Sequence, residues 1–202
     1  MSTIILRGGV EIGNPLEVAL EFLATYSDHE TNDPSRPASF DESDLRLANR
    51  GGARISAAEI AAILERRGEI ERALRKIRGD ASLADATSSV PWIPLMQLFD
   101  AFADIRGVGF SKMTKALHPK RPALIPMLDS VVQAYLTGDD AGMRASGSFG
   151  ERATALVRSY KQDVDRNWPV LHEVQRELAS RSYRITEVRI LDLLIWSHSA
   201  AT

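Results

Sequence analysis

The sequence predicts an all-α fold. From residue 15 onward apolar residues recur at helical spacing almost throughout, and capping or stop residues bracket several of those stretches. The one β-branched, glycine-containing stretch that reads as a short strand or extended arm is confined to residues 3–12. No internal repeat is evident. At 202 residues and 44% hydrophobic composition, the length fits one domain of ordinary size with a substantial core. Two small lobes sharing a cleft are compatible with the same numbers, and a single compact unit over 1–202 is the expectation.

The first helix starts at Pro15, with Asn14 as its cap, and carries Leu16, Val18, Ala19, Leu20, Phe22, Leu23 and Tyr26. Residues 27–40 are polar with two prolines and read as a loop. Asp41 or Ser43 caps a short helix through Leu45 and Leu47 that stops at Gly51-Gly52. Ser56-Ala-Ala-Glu59 is a capping box for a helix that runs to about Arg78, with an interruption near Gly68. Its mixed charges, Glu65 to Lys76, read as a solvated face. After a loop at 79–91, Leu95, Met96, Leu98, Phe99, Phe102 and Ala103 mark an apolar helix ending at Asp104-Ile105. A helix from Phe110 to Leu117 follows and is stopped by Pro119 and Pro122. Asp129 opens the next, which ends near Gly138. Residues 138–150 read as a flexible connection, and helices over about 150–165, 169–180 and 187–198 complete the chain, the last capped by Thr186.

Composition removes several classes of function. No cysteine is present, which excludes disulfides, thiolate metal sites, a cysteine-ligated iron–sulfur cluster and a cysteine nucleophile. His29, His118, His172 and His198 lack the spacing of a helical metal site, so neither a metal nor another cofactor is expected. No apolar run approaches the roughly 18 residues a membrane span needs, and the N-terminus lacks the form of a signal peptide. A soluble, cytoplasmic protein is the expectation. The net charge of −2 argues against a generally basic nucleic-acid binder, so contact with a polyanion requires a local patch.

That patch lies in Ile105-Arg-Gly-Val-Gly-Phe-Ser-Lys-Met-Thr-Lys-Ala-Leu117 and the segment after it. Residues 105–128 hold Arg106, Lys112, Lys115, Lys120 and Arg121 and no acidic residue; the remaining chain, with 20 basic against 27 acidic residues, carries −7. Two glycines at i and i+2 in a turn between helices leave backbone N–H groups pointing outward, continuous with the N-terminus of the next helix. Those amides and the helix dipole attract phosphate, with Val108 packed inward to hold the turn. The same Gly107-Val108-Gly109 can equally be a tight turn with no ligand. Asp129 follows an apolar approach, Ala-Leu-Ile-Pro-Met-Leu, that holds it partly out of water. It is either a helix N-cap or a carboxylate kept ionised to stabilise positive charge or orient a water, and the two roles are compatible.

These residues resemble the helix-hairpin-helix superfamily of DNA base-excision glycosylases. The family's Leu-Pro-Gly-Val-Gly-x-x-Thr-Ala hairpin corresponds to Ile105-Arg-Gly-Val-Gly-Phe-Ser-Lys-Met-Thr-Lys at about 95–118, and its catalytic Val-Asp or Leu-Asp to Met127-Leu-Asp129-Ser-Val-Val. The resemblance implies DNA as partner, bound through Arg106, Gly107, Val108, Gly109, Ser111, Lys112, Lys115, Lys120 and Arg121, with Asp129 as the catalytic residue. Ser111 stands where bifunctional members carry a lysine, so the resemblance implies a monofunctional glycosylase without lyase chemistry. The cysteine cluster of many members is absent. The alternatives are a noncatalytic DNA-binding module and a binder of a small nucleotide-like ligand on the same fold. Over the whole chain, Phe40-Asp-Glu-Ser-Asp-Leu45 and Gly107 to Val132 also resemble a bacterial family of uncharacterised proteins.

Residues outside the motif have two readings each. Lys120 and Arg121 either clamp phosphates or pair with a carboxylate. Tyr135, Trp92, Trp168 and Trp196 either stack on a base or fill the core. His118 contacts phosphate or is an exposed helix-end histidine. Asn49-Arg50 and Arg54 flank the Gly51-Gly52 turn and are placed to close over the hairpin.

Overall fold

The computed structural model describes residues 3–26, 38–85, 89–138 and 146–201. Most of the polar 27–40 loop, residues 86–88 and the centre of the 138–150 connection lie outside the described residues. The fold is mostly helical: α1 (Pro15–Tyr26), α2 (Glu42–Arg50), α3 (Ala57–Glu65), α4 (Arg67–Arg75), α5 (Trp92–Asp100), α6 (Phe110–Leu117), α7 (Ser130–Thr137), α8 (Phe149–Ser180) and α9 (Glu187–Ala201). The N-terminal stretch is a hairpin of β1 (Thr3–Ile5) and β2 (Glu11–Gly13), antiparallel with Ile4 opposite Ile12.

The capping signals act where the sequence places them. Asp41 and Asp44 form a reciprocal capping box on α2, and Ser56 and Glu59 form another on α3. The helix expected to run to about Arg78 breaks at Arg66, whose φ of −90° and ψ of 4° divide α3 from α4, two residues before Gly68. In the C-terminal half the two helices expected on either side of Pro169 are one 32-residue helix. Pro169 removes one amide, and it lies on the exposed side of α8, where water can hydrate the freed carbonyl. The buried side, including Leu156, Tyr160, Val164, Leu171 and Leu178, packs continuously and outweighs the local break.

α8 is the central strut and packs on α5 and α9. It meets α5 so closely that a Cβ on Gly150 would collide with the Met96 carbonyl oxygen, and the Gly150 amide donates to Asp100 at 2.6 Å. Phe40 meets Phe102 edge to face, with ring centres 6.1 Å apart, and so joins the N-terminal half to the chain entering the hairpin. The β-hairpin docks on α8 through Asn167, which accepts from the Ile5 amide at 2.8 Å and donates to its carbonyl at 3.0 Å, pairing strand β1 as a neighbouring strand would. Beside it Arg7 pairs with the fully buried Asp163 at 2.7 Å and donates to the Leu136 carbonyl. Among the described residues no helix is long and apolar enough to cross a membrane.

Asn167→Ala leaves both Ile5 groups without a partner, so thermal or denaturant unfolding is expected to show a loss of about 1–3 kcal/mol.

Candidate nucleic-acid interface

The chain leaves α5 through a turn at residues 101–104 and enters the glycine turn at Ile105. The Val108 amide donates to the Ile105 carbonyl at 3.0 Å, closing the turn, and Val108 itself is buried. Gly107 has φ of +84°, a left-handed conformation that a side chain would strain. Gly109 is the N-cap of α6 in an extended conformation, and among the described residues no side chain caps this helix. The first-turn amides at Phe110, Ser111 and Lys112 therefore sit at an exposed glycine turn without a capping side chain.

The five basic residues of this region have different surroundings. Arg106 is exposed. Lys112 is held by Glu59, with Nζ 2.7 and 2.8 Å from the two carboxylate oxygens, and this contact holds the Glu59 carboxyl below its usual pKa. The same carboxylate lies against Gly107, where any Cβ would collide with Oε1. Lys120 forms a nearly buried ion pair with Asp44 at 2.7 Å, so of its two readings the structure shows pairing with a carboxylate. Arg121 is 2% exposed and donates to the Leu74, Ile77 and Lys120 carbonyls at 2.8, 2.7 and 2.6 Å, joining the end of α4 to the loop after α6. Lys115 is partly buried, donates to the Gly51 carbonyl at 3.2 Å, and has its pKa lowered first by that burial, then by Arg189 and Arg54, against the attraction of Asp129. The Gly51 carbonyl thus meets α6, while Asn49, one of the residues expected to close over the hairpin, is bonded to the Ile55 backbone instead.

Asp129 is the N-cap of α7. Its Oδ1 accepts the Val131 and Val132 amides at 3.1 and 3.0 Å, its Oδ2 accepts the Trp196 indole N–H at 2.7 Å, and it is 7% exposed. The loop leading to it is tied down at several residues. Thr114 of α6 donates its hydroxyl to the Phe110 carbonyl and accepts the Leu128 amide at 3.0 Å, so hairpin helix and Asp129 loop are one connected unit. His118 is buried, with Nδ1 2.6 Å from the Ile125 carbonyl, which differs from the exposed or phosphate-facing histidine expected.

Trp168 and Trp196 are 41% and 38% exposed, so neither fills the core, whereas Trp92 is partly buried under Arg158. Trp168 stacks on His172 on the solvent side of α8. Glu59, Thr114 and Asp192 touch the site or its loop without any signal in the sequence that marks them as site residues, and Trp196, read there as a base-stacking or core residue, is instead a hydrogen-bond donor to Asp129. Glu59 had a complete explanation as a capping residue, and the partners of Thr114, Asp192 and Trp196 are brought in from 14, 65 and 67 positions away. Among the described residues no group of three or more His, Asp or Glu side chains is arranged to hold a metal ion.

Residues 20–199 match the model of a family of unknown function (DUF6308), and the chain belongs to that family. No curated protein and no solved structure matches it.

Arg121→Met removes the donors of three hydrogen bonds, two of them buried, and is expected to lower stability by roughly 2–4 kcal/mol in thermal unfolding.

Proposed function

We propose that this chain is a DNA-binding protein of helix-hairpin-helix type, in which the Gly107–Gly109 turn and the start of α6 grip a phosphate of the backbone. The observation that carries this reading is an exposed helix start at Gly109 without a side-chain cap, preceded by a left-handed Gly107, in the most basic segment of an acidic chain. Arg106 and Lys115 add charge beside the turn, Val108 holds it, and Ser111 stands on the first turn of α6. Lys112 joins them when it exchanges Glu59 for a phosphate oxygen. Lys120 and Arg121 act on this surface indirectly, by fixing the loop between α6 and α7.

Asp129 extends the reading to a monofunctional base glycosylase. An extruded nucleotide next to the hairpin would present its sugar to a carboxylate that the Val131 and Val132 amides hold in place, and positive charge developing on that sugar as the N-glycosidic bond breaks would be stabilised. The balance is simple hydrolysis: the bond to the base breaks, water supplies hydroxyl to the sugar carbon and a proton to the base. Ser111 offers no amine at the position where bifunctional enzymes form a Schiff base, so strand cleavage requires added alkali. A second reading, a noncatalytic DNA grip, is favoured by the full set of hydrogen bonds on Asp129, each carboxylate oxygen already having a protein partner.

Two experiments test these readings. Arg106→Ala and Lys115→Ala should each weaken duplex binding and reduce the salt-dependence slope by about 0.9, while Glu59→Gln, which releases Lys112, should tighten binding and steepen the slope by a similar amount. Base release from end-labelled duplexes carrying uracil, hypoxanthine, alkylated purine or oxidised guanine should be detected after alkali for one of these lesions and abolished by Asp129→Asn. Binding without release from any of these duplexes would support the noncatalytic grip.

A further inference from the structure

Helix α9 and the Thr186 that caps it hold the Asp129 loop at three points. The Thr186 hydroxyl donates to the Pro122 carbonyl at 2.9 Å, Asp192 Oδ2 accepts the Met127 amide at 3.1 Å, and the Trp196 indole donates to Asp129 at 2.7 Å. Asp192 and Trp196 are four residues apart, on one face of the helix, and their partners are two residues apart in the loop. The direction of the Asp129 carboxylate is therefore set from α9 as well as from its own helix.

Asp192 is fully buried, and its second oxygen, Oδ1, has no hydrogen-bond partner among the described residues. Tyr160 of α8 lies beside it, but the Tyr160 hydroxyl donates to the Val188 carbonyl at 2.6 Å. The charged groups facing Asp192 are Arg189 from α9 and Asp129 from the start of α7, with Tyr160 the titratable neighbour from α8. Ionising a fully buried carboxylate is costly, and burial pushes the Asp192 pKa up to about 7 against the opposing effects of Arg189, the Met127 amide and the neighbouring Tyr160 hydroxyl.

We propose that Asp192 is a positioning residue for Asp129, acting through the Met127 amide and through the Trp196 indole one turn further along α9. This rests on Asp129 being the reacting carboxylate of the proposed glycosylase. When Asp192 ionises, its grip on the Met127 amide strengthens and its repulsion of the Asp129 carboxylate rises; when it takes up a proton, both effects relax. The two charge states place the end of the loop differently, and Trp196, bonded to Asp129 and partly exposed, reports the difference.

The experiment is a fluorescence titration between pH 5.5 and 8.5 of the full chain carrying Trp92→Phe and Trp168→Phe, so that emission comes from Trp196. Emission should change with a midpoint near pH 7, and Asp192→Asn, which keeps an acceptor for the Met127 amide, should abolish the change while circular dichroism stays constant. Asp192→Ser serves as a second non-ionising variant should the asparagine protein fold poorly. A transition that persists in the non-ionising variant, or emission that is flat in the parent, overturns the proposal. In base release the same ionisation should appear in the pH profile and vanish in Asp192→Asn with release retained. A Trp196 transition that Asp192→Asn removes, without base release from any duplex, would keep Asp192 as the residue that positions Asp129 and overturn the glycosylase reading instead.

Discussion

An irregular segment of backbone, residues 121–128, runs largely through the interior, and every polar group on it needs a partner. This is the constraint on which the candidate site depends. The partners are side chains reaching in from elsewhere: Thr114 to the Leu128 amide, His118 to the Ile125 carbonyl, Thr186 to the Pro122 carbonyl and Asp192 to the Met127 amide. The Leu83 amide adds a bond to the Ala123 carbonyl. A loop without such ties would be mobile at the surface. With them it delivers Asp129 to the start of α7 in one orientation, beside α6.

The electrostatics follow from the same packing. A basic run suggests a surface for polyanions, but four of its five cations already have protein partners: Lys112 with Glu59, Lys115 with the Gly51 carbonyl, Lys120 with Asp44 and Arg121 with backbone carbonyls. Lys120 and Arg121 close the region between α2, α4 and the loop, which is a structural service requiring cations. Lys112 is different, because Glu59 puts a carboxylate beside Gly107, where the proposed reading seats a phosphate. A carboxylate and a phosphate compete for the same lysine, so Glu59 would set the affinity of the turn.

Much of the architecture was legible in the sequence because its signals are local. The capping residues Asp41, Ser56, Asp129 and Thr186 act on backbone within three positions, and each caps the helix its spacing indicated. Pro169 was misleading for the opposite reason: the helix it interrupts is held by contacts with α5 and α9 that a local pattern does not contain. The turn at Gly107–Gly109 and the N-cap role of Asp129 were readable, whereas Trp196 and Asp192 were not, since only folding brings α9 against residues 122–129. In sequence Lys120 and Arg121 read equally as phosphate clamps or as partners of a carboxylate; what decides between these, Leu74, Ile77 and Asp44, lies 44 or more positions away.

The most direct test of the central claim is an amide NMR titration of the full chain with a short duplex. Shifts concentrated on the amides of Gly107, Gly109, Phe110, Ser111 and Lys112, with Lys115 moving beside them, are the result predicted for a phosphate seated at the turn. Shifts confined to another surface, such as the Arg7 to Gly9 loop and Arg166, or no shifts with any duplex, would contradict it.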